Sequence, residues 1–365
     1  MIGRVLSIHT IGGSPTNPDP KRLLLILCGS IGDVTRALPL ANLIHCGFPN
    51  ATLAWAVEPP SLPLVEHHPA VDEVILFDRA HWWNQFGPFL RKIRAGRFDW
   101  VLDLQRHLKS GIISRWSGAP NRLGFHRLDS KEFNWIFNNR HIPPLGNSIS
   151  KFNHYLKFAE YLGLIPDRVE WKLSLTGEEQ VSVARHLAGI RGDGFAALFV
   201  GSRWESKGWF PAQISSCANL IQERYGLGIV LLGSEADAAI AREVENSCGR
   251  DIANLVGRTS LKEAVGIIAR ARVAVGPDTG LMHIAAAMDT PVISLWGATS
   301  PSRTGPYGFE ELVIQGKADC SPCYLKRCPI GRVCMQSIDV EAIMAKVKTS
   351  LSRKRNGAPA YETRL

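Results

Sequence analysis

The sequence lacks any apolar run near the roughly 18 residues that a membrane-spanning helix needs. It is also short of acidic residues, with 33 Asp and Glu against 42 Lys and Arg, which gives a formal net charge of +9. A basic surface favours anionic partners such as nucleic acid, anionic lipid or phosphorylated sugars. Because no segment shows the aromatic and basic signature of RNA-binding proteins, nucleic acid is not an expected partner.

The first 20 residues lack a long apolar core followed by a small-residue cleavage site. We interpret residues 1–20 as a flexible leader rather than a signal peptide, and we expect a cytoplasmic protein. The apolar fraction of 45% and the charged fraction of 21% are typical of a soluble globular chain. A length of 365 residues predicts two domains.

Strand and helix signals alternate twice along the chain, which predicts an α/β protein with two Rossmann-like, doubly wound domains. The first alternation begins at the buried strand "RLLLILC", and the second begins after a helix predicted to start at Thr176. The predicted boundaries are 21–172 for the first domain, 173–340 for the second, and 341–365 for a C-terminal helix and basic tail. Ligands of such sheets bind beyond the carboxyl ends of strands, so we expect a central cleft faced by both domains.

Small and polar residues follow several predicted strands, where a purely structural loop would not need them. The stretches are "GSIGD", "GSRWESKGWFP", "GSEAD" and "GPDTGLMH". A lysine beside a hydroxyl suits a phosphate group, and the backbone amides at a helix start favour an anion. A carboxylate after a strand can accept both hydroxyls of a ribose. The residues that carry this interpretation are Ser202, Lys207, Glu235, Asp278, Thr279, Gly280 and His283.

Each of these residues also has an ordinary structural interpretation. Thr279 or Asp278 can simply cap a helix, and Lys207 can be a surface lysine above packed tryptophans. Glu235 can favour a helix dipole from the first turn, and His283 can pack inside. Taken together, the residues nevertheless indicate a nucleotide diphosphate bound by the second domain.

In order and spacing, "GSIGDVTRALP", "GSRWESKGWFP", "GSEAD", "GPDTGLMHIAAAMDTPVISLWGATSP" and "CSPCYLKRCPIGRVCM" resemble glycosyltransferase family 9, the lipopolysaccharide core heptosyltransferases. The resemblance covers roughly residues 21–350. It implies a GT-B fold whose first domain binds the acceptor and whose second binds the nucleotide-sugar. It further implies an inverting transfer of heptose from ADP-heptose to a lipid A-linked, anionic glycan acceptor, with no metal cofactor required. Contact with the cytoplasmic face of the inner membrane fits such an acceptor.

The family's catalytic base falls on Asp33 under this resemblance, and its phosphate lysine and ribose carboxylate fall on Lys207 and Glu235. A carboxylate can take the proton of the attacking hydroxyl while the new bond forms. Burial would raise the pKa of Asp33 and nearby basic residues would lower it, and the sequence leaves this balance open. The alternative is that Asp33 only caps a helix. Basic residues of the first half, among them Arg106, His107, Lys109, Arg122 and Arg127, are candidates for acceptor phosphates or for plain surface positions.

Cysteines cluster only near the end of the chain, at Cys320, Cys323, Cys328 and Cys334. Their content resembles a zinc knuckle, although no second CxxC follows. A structural Zn²⁺ and unligated thiols packed in a loop both remain open. Two other enzymatic interpretations keep the same fold: a transferase using a UDP- or GDP-sugar, and a nucleotide-sugar 2-epimerase. A non-catalytic nucleotide-binding scaffold is disfavoured by the joint presence of Asp33, Lys207 and Asp278.

Overall fold

The computed structural model describes residues 8–9, 19–146, 149–166, 168–248 and 252–352. The chain divides into two compact units, Met1–Lys172 and Leu173–Leu365, and each is described by itself below. Most of the predicted leader and the end of the basic tail lie outside the described residues. Within the leader, Ile8–His9 pairs in antiparallel fashion with Ile165–Pro166, so this part of the predicted flexible segment is a short strand.

The first unit contains a six-stranded parallel sheet. Its strands and helices, with the short pair noted above, are β1 (Ile8–His9), β2 (Arg22–Ile26), α1 (Ile31–Gly47), β3 (Thr52–Val57), α2 (Leu62–Val65), β4 (Glu73–Leu76), α3 (Trp82–Ala95), β5 (Trp100–Asp103), α4 (Leu108–Trp116), β6 (Asn121–Gly124), β7 (Arg140–His141), α5 (Lys151–Tyr161) and β8 (Ile165–Pro166). Short 3-10 helices lie at Pro59–Ser61, Arg79–His81 and Asn134–Phe137. The strand order β4-β3-β2-β5-β6-β7 reverses direction between β2 and β5.

Strand β2 is the centre of this sheet, and its residues Leu23 to Ile26 are completely buried. A continuous apolar run of this kind forms a parallel strand covered on both faces. One core cluster joins Leu24 and Ile26 to Phe89 and Ile93 of α3. Helix α1 packs against α5 and is buried along most of its length. Since parallel strands end at the same edge, the loops after β2 and β5 lie side by side at the point where the strand order reverses.

The second unit repeats this architecture with the strand order β11-β10-β9-β12-β13-β14. Its elements are α6 (Gly177–Leu187), β9 (Phe195–Phe199), α7 (Pro211–Tyr225), β10 (Gly228–Leu232), α8 (Ala238–Ser247), β11 (Ile252–Asn254), α9 (Leu261–Arg270), β12 (Val273–Pro277), α10 (Gly280–Ala287), β13 (Val292–Trp296), α11 (Pro301–Thr304), β14 (Val313–Gln315), α12 (Val333–Gln336) and α13 (Val340–Ser352). Its 3-10 helices lie at Glu205–Lys207, Glu235–Asp237 and Glu310–Leu312. Thr176 caps α6 in a capping box with Glu179, as the sequence predicts.

Both units are Rossmann-like α/β sheets, which confirms the predicted fold class. Across the described part of the chain, no helix combines the length and apolar character required to cross a bilayer.

Candidate active-site residues

Asp33 lies in the first turn of α1, just beyond the carboxyl end of β2. The helix begins at Ile31, and its cap is Ser30. The Ser30 hydroxyl accepts a hydrogen bond from the Asp33 amide at 3.4 Å, so the alternative of Asp33 as the capping residue is wrong. Because Ser30 serves as the cap, the Asp33 carboxylate is available for other contacts.

Two cations and one hydroxyl surround the Asp33 carboxylate, whose side chain is 19% exposed. Arg36 Nη2 lies 2.7 Å from Oδ1, and Lys151 Nζ of α5 lies 3.1 Å from the same oxygen. Ser30 Oγ donates to Oδ2 at 2.8 Å. Burial opposes ionisation of Asp33, but Lys151 and Arg36 outweigh it and hold the pKa of this carboxyl well below its usual range. Asp33 is therefore an ionised carboxylate throughout the neutral range.

In the second unit, the structure brings together three of the predicted donor residues at the carboxyl edge of the sheet. Lys207 Nζ donates to Asp278 Oδ2 at 2.6 Å, and Ser202 Oγ donates to the Asp278 backbone carbonyl at 3.0 Å. Thr299, which the sequence analysis did not single out, donates to the same Asp278 oxygen at 2.8 Å. Lys207 also lies 4.4 Å from the centre of the Trp204 ring. Asp278 thus organises the loops that follow β9, β12 and β13.

The start of α10 differs from the predicted capped turn. Thr279 occupies the N-cap position, but its side chain makes no capping hydrogen bond, and the Asp278 side chain points to Lys207 and Thr299 instead. A helix start whose amides are not satisfied by a side chain is suited to bind an anion. Asp278 directly precedes the N-cap residue Thr279. Because Lys207 contacts Asp278, its positive charge lies near the start of α10.

Glu235 and His283 lie in different environments. Glu235 begins the 3-10 helix after β10 and is exposed, and in the described part of the chain its carboxylate makes no hydrogen bond or ion pair. Asp237, not Glu235, accepts the local bonds from Ser234 N (2.8 Å) and Ser234 Oγ (2.7 Å). His283 is buried within α10, with 5% of its surface exposed. Glu235 is thus accessible to a ligand, whereas His283 belongs to the interior of the unit.

Comparison with known proteins identifies the family that carries this arrangement. The sequence profile of "Glycosyltransferase family 9 (heptosyltransferase)" matches residues 87–334.

The chain belongs to glycosyltransferase family 9.

Among curated relatives of this family 9 glycosyltransferase, the lipopolysaccharide core heptosyltransferase OpsX of Haemophilus influenzae is 25% identical over 342 residues, 90% of this chain and 96% of that protein. Lipopolysaccharide heptosyltransferase 1 of Pseudomonas aeruginosa is 29% identical over 319 residues, 84% of this chain and 87% of that protein. A family 9 structure from Veillonella parvula superposes with a TM-score of 0.78 at 18% identity, covering 91% of this chain and 97% of the other. The similarity to this solved structure supports the fold.

Residues 320–334 of this family 9 glycosyltransferase, which we call the cysteine-rich loop, pack on the loop that carries Lys207. The sequence did not predict this contact. Glu205 connects the two loops, since its carboxylate accepts from the Cys328 amide at 2.9 Å and pairs with Arg332 Nε at 3.1 Å. Arg332 Nη1 also donates to the Gly208 carbonyl at 3.0 Å. These contacts of the cysteine-rich loop therefore stabilise the conformation of the Lys207 loop.

Metal binding by the four cysteines stays a prediction. Burial raises the pKa of the Cys334 thiol, and Cys320, Cys328 and Cys323 are near enough to raise it further. Nevertheless, among the residues that the structure describes, no three His, Cys, Asp or Glu side chains form a group that could hold a metal ion.

The basic candidates of the first unit have separate contacts. Arg122 donates to the carbonyls of Phe137 (3.0 Å) and Ala119 (2.6 Å), so it ties backbone segments together. Lys109 pairs with Glu58 at 3.4 Å. Arg127 is exposed, and Arg106 lies 4.6 Å from the centre of the Phe125 ring. Arg122 is thus structural, whereas Arg127 is accessible to a ligand.

Proposed function

We propose that this glycosyltransferase transfers a heptose from ADP-heptose to a lipid A-linked lipopolysaccharide core acceptor, with inversion at the anomeric carbon. The observation that carries the proposal is the chemistry that each unit holds at the carboxyl edge of its own sheet. The first unit holds an ionised carboxylate at a strand end, and the second holds a lysine beside the start of α10, which makes no side-chain capping bond. Relatives named lipopolysaccharide heptosyltransferases support the choice of substrates.

Asp33 is the proposed base. Its pKa lies well below the usual range, so it is a weak base toward a free hydroxyl. The acidity of an acceptor hydroxyl rises steeply as its oxygen bonds to the anomeric carbon. Proton transfer to Asp33 therefore comes late, when the new carbon–oxygen bond is largely formed. Lys151 and Arg36 hold the carboxylate in one orientation through this step.

The donor diphosphate is assigned to Lys207, Ser202 and the amides at the start of α10. As the glycosidic bond breaks, negative charge grows on the departing ADP, and a cation with aligned amides stabilises it. In this scheme Lys207 supplies the positive charge, so no metal cofactor is required. The exposed Glu235 is placed to accept the ribose hydroxyls. Solved structures of an Escherichia coli heptosyltransferase with ADP and with ADP-2-deoxy-2-fluoro heptose support ADP as the nucleotide.

A transfer assay tests the proposal. Purified protein is incubated with ADP-heptose and a lipid A-linked core acceptor that lacks heptose, and the acceptor is analysed by mass spectrometry and NMR. We expect addition of one heptose with inverted anomeric configuration. Transfer from a UDP- or GDP-sugar, but not from ADP-heptose, would contradict the donor assignment. A parallel incubation of donor without acceptor detects epimerisation of the sugar, which would contradict group transfer.

A further inference from the structure

Helix α4 has three of its four large apolar side chains on the outside. Positions four residues apart share one face of a helix, and on the outer face of α4 these are Leu108 (41% exposed), Ile112 (37%) and Trp116 (53%). The opposite face, which packs on the unit, contains the fully buried Ile113 and three small residues, Ser110, Gly111 and Ser114. A surface helix of a globular protein normally has the reverse arrangement.

The adjoining 3-10 helix, Asn134–Phe137, extends this apolar surface. It packs closely on α4, since a Cβ atom added at Gly111 would lie only 2.8 Å from the Phe137 side chain. Phe133, which directly precedes this 3-10 helix, is 71% exposed, and Trp135 and Ile136 within it are 37% and 59% exposed. We call the six exposed side chains Leu108, Ile112, Trp116, Phe133, Trp135 and Ile136 the α4 surface.

Hydrogen bonds of Asn134 anchor the backbone that carries the exposed Phe133 and Trp135. Asn134 Nδ2 donates to the buried Asp103 carboxylate at 2.7 Å and to the His107 carbonyl at 2.9 Å. Phe133 itself has a left-handed backbone with a φ of 56°, a conformation that is costly for a bulky residue. The hydrogen bonds of Asn134 therefore maintain the left-handed backbone that exposes Phe133 to solvent. This arrangement favours a binding role for Phe133.

A basic cavity adjoins the α4 surface and shares Trp116 with it. This cavity of about 640 Å³ is lined by Arg91, Arg94 and Arg97 together with Phe98 and Trp116. In the described part of the chain, none of the three arginines forms an ion pair. Arg97 also has a left-handed backbone, with a φ of 45°. Unpaired guanidinium groups around a cavity suit phosphate groups.

We propose that the α4 surface docks on an anionic lipid bilayer, with its apolar side chains at the acyl boundary and lipid phosphates in the arginine cavity. The proposal rests on the proposed function, because a lipid-linked acceptor lies in a membrane. The positive charge beside the α4 surface favours an anionic bilayer over a second copy of the chain as its binding partner. A twofold contact through the α4 surface would bring one arginine cluster near its symmetry mate, whereas anionic lipid neutralises both the cavity and the overall charge of +9.

Vesicle co-sedimentation of the full chain tests the proposal without any turnover. The probes are phosphatidylglycerol–phosphatidylethanolamine vesicles and neutral phosphatidylcholine vesicles. We expect binding to the anionic vesicles only. The triple variant Leu108→Gln, Ile112→Gln and Trp116→Gln should lower the partition coefficient on the order of tenfold or more, because it removes the inserted apolar area. Arg91→Gln with Arg94→Gln and Arg97→Gln should lower it as well, most strongly at low salt.

A matched control changes exposed apolar residues of the second unit, Val181→Gln, Leu325→Gln and Ile330→Gln, and should bind vesicles as the unchanged protein does. Equal binding by the α4 triple variant, or equal binding to neutral vesicles, would overturn the proposal. A dimer that is seen in sedimentation velocity and is abolished only in the α4 triple variant would also overturn the proposal, since the α4 surface would then bind a second copy of the chain. Circular dichroism of each variant excludes misfolding. Transfer to a detergent-dispersed acceptor, measured separately, reports on the proposed function and should be unchanged in the α4 triple variant.

Discussion

Lys207 Nζ lies 2.6 Å from Asp278 Oδ2, and Thr299 Oγ1 donates to the same oxygen at 2.8 Å. The Lys207 and Asp278 side chains are 16% and 11% exposed, so the pair is largely shielded from water. Asp278 holds the lysine at the edge of the sheet, next to the first turn of α10. A bound diphosphate would compete with Asp278 for this cation, and the exchange would orient the leaving group.

Substitution of Lys207 tests the diphosphate assignment. Lys207→Met keeps an unbranched side chain of similar length beside Trp204 while removing the charge. We expect ADP affinity to fall by about 10- to 100-fold, because a charge-assisted hydrogen bond to phosphate is lost. Isothermal titration calorimetry measures the change. The exposed Lys326→Met in the cysteine-rich loop is the control, and an equal loss of affinity in this variant would point to general electrostatics.

The neighbours of Asp33 predict a pH effect. Lys151→Met removes a cation that lowers the Asp33 pKa, so this pKa should rise toward the ordinary value. The acid limb of the kcat/KM profile should then move to higher pH. Lys157→Met, on the same helix but paired with Glu160 at 2.6 Å, should leave the profile unchanged. A Lys151→Met profile that superposes on the unchanged protein would contradict the role of Lys151.

The same contact affects stability with a defined sign. Since the folded-state pKa of Asp33 is depressed, its ion pairs stabilise the fold above the unfolded-state value of about 3.9. This contribution is lost as the pH falls through the folded-state pKa. Lys151→Met should therefore lower the free energy of unfolding at pH 7, and urea titrations should show the difference shrinking as the medium becomes acidic. A difference that is constant with pH would indicate lost packing instead.

The contacts that stabilise the Lys207 loop can be tested through Arg332. Arg332→Met removes the ion pair with Glu205 and the bond to the Gly208 carbonyl, so the loop should loosen. We expect a several-fold increase in the KM for the donor with a smaller effect on kcat, because the proposed function assigns this loop to the donor diphosphate rather than to the acceptor hydroxyl. Arg327→Met, at an exposed position of the same cysteine-rich loop, serves as the control. A purely kcat effect would contradict this assignment.

The zinc prediction has a direct measurement. Protein purified without added zinc is analysed by mass spectrometry for bound metal, and its melting temperature is measured with and without a chelator. A structural site predicts about one zinc per chain and a lower melting temperature after chelation. Absence of metal together with an unchanged melting temperature would contradict a structural zinc site at Cys320, Cys323, Cys328 and Cys334.

The sequence predicted the alternation of strands and helices because buried parallel strands and capped helices leave local patterns, as at Leu23–Ile26 and Thr176. It also located Ser202, Lys207 and Asp278, since each follows a strand. It could not predict the contact between Lys151 and Asp33, which are 118 positions apart, because packing of α5 on α1 creates it. Thr299 and the Glu205–Arg332 pair were missed for the same reason.

The orientation of α4 shows a second limit. The segment "HLKSGIISRW" contains enough apolar residues to predict a helix, but its pattern does not tell which face packs on the sheet. The close approach of the 3-10 helix at Gly111 decides this, since only a small residue fits there. Leu108, Ile112 and Trp116 are consequently exposed, against the ordinary expectation for such residues.

The most direct test of the account is the single-turnover rate of Asp33→Asn, which keeps the shape of the side chain and removes its capacity to take a proton. We predict that heptosyl transfer falls by about 10²- to 10⁴-fold, while the ADP affinity and the increase in melting temperature that ADP produces stay near those of the Glu160→Gln control. Transfer by Asp33→Asn at a rate close to that of the unchanged protein would contradict Asp33 as the proton acceptor.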